Sequence, residues 1–109
     1  MLDRAKFTAA LQAAEAAALK SIAAGGGDGG SCNFDTPYVV VPAGTRKATI
    51  EACAAKAGVR VYPHYTAPSR WMVAVSTGGQ GMARTRAAEA ARTAIQKAGF
   101  DASVYYAVD

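Results

Sequence analysis

The chain has 109 residues, of which 51% are hydrophobic and 18% charged, and its formal net charge is +4. This length fits one domain, which we predict to span residues 1–109. The low charge and high apolar content exclude a disordered chain. Because 27 residues are alanine, which buries little apolar area, the core is expected to be thin. A homo-oligomer that buries more surface is therefore expected.

Cysteine use and hydropathy predict where the protein works. Cys32 and Cys53 lack the spacing of a metal or redox motif, and the one histidine adds too little for a structural zinc site. No run of 18 apolar residues is free of charge, and Lys6 and Glu15 interrupt any signal-peptide core. We expect a cytoplasmic protein with free thiols, no bound metal or cofactor and no membrane segment.

Positive charge is concentrated in the middle of the chain. Residues 36–97 carry nine basic and two acidic side chains, a net charge of +7, whereas residues 1–35 sum to −1. A basic middle indicates an anionic partner: a nucleotide, a nucleic acid or an acidic protein surface.

The first predicted element is a helix over residues 2–24, rich in the strong helix formers Ala, Leu, Gln, Glu and Lys. Its larger residues, including Phe7 and Leu11, recur at helical spacing as one narrow stripe. So small a stripe needs a close neighbour, and two partners remain open: a second subunit or the chain's own sheet. A glycine-rich loop follows over residues 25–36.

The core is predicted over residues 37–109 as strand, helix, strand, repeated once. A Lys-Ala-Gly word ends both helices, with Gly58 and Gly99 as stop residues. This order predicts an α+β protein: an N-terminal helix followed by a ferredoxin-like βαββαβ antiparallel sheet with helices on one face. The predicted elements are strands at 37–41, 59–62, 71–76 and 102–108, and helices ending at 57 and spanning 82–98.

A second glycine-rich turn, residues 78–86, joins a strand to the last helix and reads Gly-Gly-Gln-Gly-Met-Ala-Arg-Thr-Arg. The first amides of a helix lack internal partners and carry the positive end of its dipole. Arg84 and Arg86 add positive charge where a helix start favours acidic residues. These features predict phosphate binding by this segment, Gly81 and Thr85 included; the alternative is a solvated turn. The spacing fits neither a Rossmann nor a Walker motif.

The first glycine-rich loop ends in an Asn-Phe-Asp word. Asn33 and Asp35 flank Phe34, a pattern that can form Asx turns while the phenylalanine anchors the loop. One interpretation is a hinge with a stabilised exit into the first strand. The other is a ligand wall, on which Asn33 and Asp35 contact ribose or base edges.

The loop after the second strand holds the lone histidine beside aromatic residues. Tyr65 lies close to arginine in sequence and is a candidate for stacking on a base, whereas His64 is expected to be a surface residue. A Cys–His nucleophile pair can be written with Cys32 or Cys53, but nothing in the spacing supports it. We therefore predict a binding protein and not an enzyme, with no catalytic residues.

Several short segments of the sequence resemble those of a known family. Residues 28–37 (DGGSCNFDTP), residues 79–86 (GQGMARTR) and the segment Tyr-x-x-Val-Asp at 105–109 resemble the phage anti-Thoeris nucleotide-sponge family, the first of its two types. The resemblance implies an oligomeric, non-enzymatic protein in the host bacterial cytoplasm. Such a protein sequesters a small cyclic nucleotide, either a cyclic ADP-ribose isomer or a cyclic oligonucleotide.

The resemblance also implies ligand contacts inside the matched words, at Asn33, Asp35, Arg84 and Arg86. It transfers no stacking aromatic residue, for which Phe7 is a candidate beside the Tyr65 already named.

Other function classes remain open. The protein could be a phage inhibitor that binds a host defence protein through its basic surface. It could also be a small nucleic-acid-binding domain that stacks bases on its sheet through Tyr62 and Trp71. The excess of positive charge is modest for a nucleic-acid-binding protein, so this function ranks behind nucleotide binding and behind inhibition of a host protein. A nucleotide hydrolase or lyase ranks last.

Overall fold

The computed structural model describes residues 1–27, 29–30 and 32–107. Within these residues the chain forms three helices and one four-stranded sheet. None of the described helices has the length and apolar character needed to cross a membrane. The elements in chain order are α1 (Arg4–Ala24), β1 (Thr36–Val40), α2 (Lys47–Ala57), β2 (Arg60–Pro63), β3 (Arg70–Ala74), α3 (Met82–Lys97) and β4 (Ala102–Tyr105).

The sheet has the strand order β2-β3-β1-β4, and all neighbouring strands are antiparallel. β1 lies inside the sheet, where Tyr38 faces Met72 of β3 on one side and Ser103 of β4 on the other. This order, with the succession βαββαβ, is the ferredoxin-like arrangement. The predicted α+β fold is confirmed.

The ends of the elements lie within three residues of the predicted ones, and several coincide with them, such as Ala57 at the end of α2 and Met82 at the start of α3. α1 begins at Arg4 because Asp3 caps it: the Asp3 carboxylate accepts the Lys6 amide at 3.0 Å. β4 ends at Tyr105, whereas the predicted strand extends to Val108, which lies outside the described residues.

α1 packs against both other helices, most extensively against α3. Phe7, Leu11, Ala14 and Ala18 are fully buried in the core. The narrow stripe of α1 therefore packs inside its own chain, and the small alanines let the helices approach closely. The oligomer expected from the thin core stays a prediction.

The two faces of the sheet differ, because side chains alternate along a strand. One face packs under the helices through residues such as Val39, Trp71 and Val73. Trp71 is only 5% exposed, so its predicted stacking role is wrong: alternation turns it into the core. The opposite side, called the open face from here on, carries Tyr38, Arg60, Tyr62, Arg70, Met72 and Tyr105.

Candidate functional site: an aromatic cleft

The two glycine-rich segments of the sequence meet in space. The loop before β1 folds over the start of α3, where the Met82 amide donates to the carbonyl oxygen of Gly29 at 2.9 Å. Asn33 Nδ2 donates to the carbonyl oxygen of Gly81 at 2.8 Å. One of the helix-start amides predicted to bind phosphate is therefore already paired within the chain. Asp28 and Ser31 of this loop lie outside the described residues.

Asn33 and Asp35, the predicted polar contacts, are buried and bonded to each other and to distant segments. Asn33 Oδ1 accepts the Asp35 amide at 3.1 Å, which is the predicted Asx turn. The Asp35 carboxylate accepts the Thr85 hydroxyl at 2.7 Å and the Ala107 amide at 2.9 Å. These contacts support the interpretation of a stabilised exit into β1, since the polar atoms face the protein.

The two predicted arginines have different surroundings. Arg84 Nε donates to the carbonyl oxygen of Asp35 at 2.9 Å, and Arg84 Nη2 donates to Thr36 Oγ1 at 3.3 Å. These bonds use two of the five N–H groups of the guanidinium. Arg86 Nη2 instead donates to the carbonyl oxygen of Gly27 at 2.7 Å. Arg84 holds the entry of β1, and Arg86 holds the glycine-rich loop.

A cleft of about 350 Å³ opens on the open face of the sheet, and we call it the aromatic cleft. Both the loop before β1 and the loop after β2 contribute to its walls. Of the predicted site residues, Arg84 and Tyr65 lie in its lining. The lining among the described residues is Phe34, Thr36, Tyr62, Pro63, His64, Tyr65, Met72, Arg84 and Tyr105.

The loop after β2 folds back across the open face through His64. Its ring meets Tyr38 and Tyr105 edge-on, with centroid distances of 6.3 and 5.6 Å. The Tyr65 ring stacks on His64 at 5.2 Å, while Tyr65 itself is 81% exposed. Tyr65 therefore has one side supported by the histidine and much of its surface free for a ligand.

Two phenols in the cleft are linked. The neighbouring Tyr65 phenol raises the pKa of Tyr105 by favouring its protonated form. A phenol with the ordinary tyrosine pKa of about 10 is already uncharged at neutral pH, so Tyr105 adds no negative charge to the cleft with or without this shift.

Phe7, the other predicted stacking residue, is in the wrong place for that role. It is fully buried and packs edge-on against Phe100 at 5.5 Å. The stripe of α1 needs its largest side chain in the core, so the assignment of Phe7 as a ligand contact is corrected.

Sequence reasoning missed several residues of the cleft. Tyr105 could have been found, because Ala102 and Val104 alternate inward and leave Tyr105 on the open face. Phe34 was expected to anchor its loop, yet it is 53% exposed. Nothing in the sequence next to Phe34 shows that Asn33 and Asp35 turn into the protein while the phenylalanine stays at the surface.

Cys53 and His64 do not form a nucleophile pair. Cys53 is buried, with Sγ 3.8 Å from the carbonyl oxygen of Arg4, on the helix side of the sheet. His64 lies on the open face, so the sheet separates the two. Within the described ranges, no three His, Cys, Asp or Glu side chains gather where they could hold a metal ion.

A larger cleft of about 470 Å³ lies elsewhere, at the start of α2. Its described lining offers no aromatic ring and consists of Met1, Leu2, Arg4, Pro42, Ala43, Gly44, Thr45, Arg46 and Thr49. The aromatic cleft therefore combines more of the features used to bind a planar ligand.

Comparison with known proteins gives no relative. No family model matches the chain, and no curated protein or solved structure matches it. The resemblance to the anti-Thoeris family therefore rests on the short sequence segments quoted above.

Proposed function

We propose that the protein binds a small nucleotide in the aromatic cleft and holds it without changing it. The observation that carries this proposal is a cleft of nucleotide size that brings Phe34, Tyr65 and the Arg84 guanidinium together. Exposed aromatic rings stack on bases, and a guanidinium pairs with phosphate. The concentration of positive charge in residues 36–97 supports an anionic ligand.

The composition of the cleft supports sequestration. Its described lining holds no carboxylate and no cysteine beside His64, so it lacks the carboxylate–histidine and cysteine–histidine pairs that many hydrolases use. The resemblance to the nucleotide-sponge family suggests the ligand class: a cyclic ADP-ribose isomer or a cyclic oligonucleotide. A sponge acts in the host bacterial cytoplasm, and a homo-oligomer would add binding surface around the cleft.

The experiment that tests this proposal measures binding and then recovers the ligand. Purified protein is incubated with cyclic ADP-ribose isomers and cyclic di- and trinucleotides, and its thermal shift is recorded. Heat denaturation then releases the ligand for chromatography. A shift with the ligand recovered intact is expected. An altered ligand would identify an enzyme. No shift with any compound would contradict nucleotide binding and favour a host defence protein as the target.

A pair of arginine variants locates the binding site. Arg84→Ala should weaken nucleotide binding by about 1.5–3 kcal/mol, the usual contribution of a hydrogen bond to a charged group. Arg46→Ala is the matched control, because Arg46 is exposed at the start of α2 and lies outside the aromatic cleft. Equal loss of affinity in both variants would place the ligand elsewhere.

A second candidate function is binding of single-stranded nucleic acid along the open face. Two arginines lie over tyrosine rings there: Arg60 over Tyr62 at 5.7 Å and Arg70 over Tyr38 at 5.0 Å. Such pairs favour stacking beside phosphate contacts. This function predicts that an oligonucleotide of about ten residues binds with a steep salt dependence. Arg60→Ala and Arg70→Ala should then weaken binding, whereas a single nucleotide should bind poorly.

A further inference from the structure

Phe34 is held outward by its two neighbours. Asn33 and Asp35 are buried and bonded within the protein, whereas the side chain of Phe34 between them lies at the surface. The Phe34 amide donates to the carbonyl oxygen of Ala107 at 2.7 Å, which fixes the backbone at this point. A large apolar side chain is thus kept in solvent, 53% exposed, by a well-anchored segment.

The same segment positions Arg84. The guanidinium bonds to the carbonyl oxygen of Asp35 and to the hydroxyl of Thr36. It also lies over the Phe34 ring, 5.9 Å from the ring centroid. The backbone around Asp35 therefore places the Phe34 ring, with the Arg84 guanidinium over it, at the wall of the cleft.

Thr85 connects this stretch to α3. Its hydroxyl donates to Asp35 Oδ2 at 2.7 Å and accepts from Asn33 Nδ2 at 3.3 Å. Thr85 follows Arg84 directly in α3, so the bonds that fix the threonine also fix the start of the arginine side chain. We call the buried side chains of Asn33 and Asp35, together with the half-buried Thr85 bonded to them, the buried cluster.

We propose that Phe34 is a stacking residue of the aromatic cleft and that Thr85 is a positioning residue, which holds Phe34 and Arg84 in place through the buried cluster. This inference rests on the proposed function and assigns parts of the ligand. The planar base packs on the Phe34 ring, and a phosphate group pairs with Arg84. It also gives Asn33 and Asp35 an indirect role, since neither needs to touch the ligand.

The stacking role is tested with three probes that separate base from phosphate: 5′-AMP, adenosine and ribose 5-phosphate. Binding is measured by nuclear magnetic resonance titration. Phe34→Leu, which keeps apolar bulk and removes the ring, should weaken AMP and adenosine about 5- to 100-fold. Its affinity for ribose 5-phosphate should stay within about twofold of the wild type. Unchanged adenosine binding in this variant would overturn the stacking role, as would a wild-type protein that binds neither adenosine nor AMP.

The positioning role is tested in the free protein, so it does not depend on any ligand. The Arg84 Nε–H is bonded to a carbonyl oxygen and should exchange slowly with solvent. Thr85→Val should speed that exchange at least about fivefold, and Thr85→Ser, which restores the hydroxyl, should reverse the effect. Thr93→Val is the matched control, because Thr93 lies on the same helix and its exposed hydroxyl bonds only within that helix. Wild-type exchange in Thr85→Val would overturn the positioning role.

A double-mutant cycle separates positioning from general loss of structure. If Thr85 acts through Arg84, Thr85→Val should weaken AMP binding in the wild type and have little further effect beside Arg84→Ala. Additive losses would overturn the inference. Failure of the inference and failure of the proposed function are distinguishable: a cyclic nucleotide that binds the wild type and both the Phe34 and Thr85 variants equally contradicts only the inference.

Discussion

The hydroxyl of Thr85 donates a hydrogen bond to the buried carboxylate of Asp35 at 2.7 Å, across 50 positions of the chain. The other oxygen of that carboxylate accepts the Ala107 amide. One side chain therefore joins three separate segments: the entry of β1, the first turn of α3 and the stretch after β4. Burial in such a position makes the stability of the protein sensitive to each partner.

Removal of the Thr85 hydroxyl should destabilise the fold. In Thr85→Val the Asp35 oxygen loses its donor while staying buried, which costs about 1–3 kcal/mol of unfolding free energy. The measurement is chemical denaturation followed by circular dichroism. Thr93→Val, whose hydroxyl is exposed, should change the unfolding free energy by no more than about 0.5 kcal/mol. Equal changes in unfolding free energy at both threonines would show that the bond from Thr85 to Asp35 does not stabilise the fold.

Gly78 should resist substitution for two separate reasons. Its φ is +67°, and a Cβ at this position would lie 2.6 Å from Ile22 Cγ1 of α1. Gly44 has a φ of +82° with open space around it, so Gly44→Ala measures the backbone cost alone, about 1–2 kcal/mol. Gly78→Ala should lose a further 1–3 kcal/mol, roughly, from the clash. Equal melting temperatures for the two variants would contradict the close approach of α1.

Phe7 and Phe34 should show opposite effects when each is changed to leucine. Phe7→Leu leaves unfilled space in the core and should cost about 1–2 kcal/mol of unfolding free energy, with nucleotide affinity unchanged. Phe34→Leu should keep its stability within about 0.5 kcal/mol and lose affinity, because the ring lies in solvent. Thermal unfolding and titration of both variants check this. A loss of affinity in Phe7→Leu at unchanged stability would return Phe7 to the site.

The Tyr106 hydroxyl should titrate at unusually high pH. It donates to Glu89 Oε2 at 2.7 Å, and this bond raises the pKa of Tyr106, with burial adding to the effect. The folded state thus favours the protonated phenol. Its contribution to stability is complete below the ordinary tyrosine pKa of about 10 and disappears as the pH rises through the folded-state value.

The measurement is ultraviolet titration of tyrosinate, with the Tyr106 signal obtained as the difference between wild type and Tyr106→Phe. Glu89→Gln removes the carboxylate charge and should lower the pKa of Tyr106. Glu51→Gln is the control, since Glu51 is exposed on α2. A Tyr106 pKa that is the same in the wild type and in Glu89→Gln would refute the assignment.

The fold could be predicted because its signals are local. Gly58 and Gly99 have φ values of 75° and 96°, so both stop residues adopt conformations that favour glycine. The order of the predicted strands and helices then pointed to the ferredoxin-like sheet, and the observed strand order is β2-β3-β1-β4. The ends of elements were less accurate: the start of α1 depends on a single hydrogen bond, which the Lys6 amide donates to the Asp3 carboxylate.

The site was less predictable because its geometry depends on distant partners. Nothing near Asn33 or Asp35 in the sequence indicates that Thr85 and Ala107 will bond to them. One of the two interpretations turned Asn33 and Asp35 toward a ligand, and Phe34 was expected to anchor the loop. In the structure both polar side chains bond within the protein, as the other interpretation has it, and Phe34 is exposed. Arg84 and Tyr65 were named from local charge and aromatic character, and both lie in the aromatic cleft.

The central place of β1 has a consequence for synthesis on the ribosome. β1 is made early, yet one of its two neighbours in the sheet is β4. The Asp35 carboxylate likewise accepts a hydrogen bond from the Ala107 amide, which is synthesised 72 residues later. Until that stretch emerges, an inner strand with valine side chains has an unpaired edge, which invites association with other nascent chains. Pairing over so long a separation also slows folding. The helix that packs against β1 is α3, which emerges only shortly before β4, so the apolar side of β1 also stays uncovered in the interval.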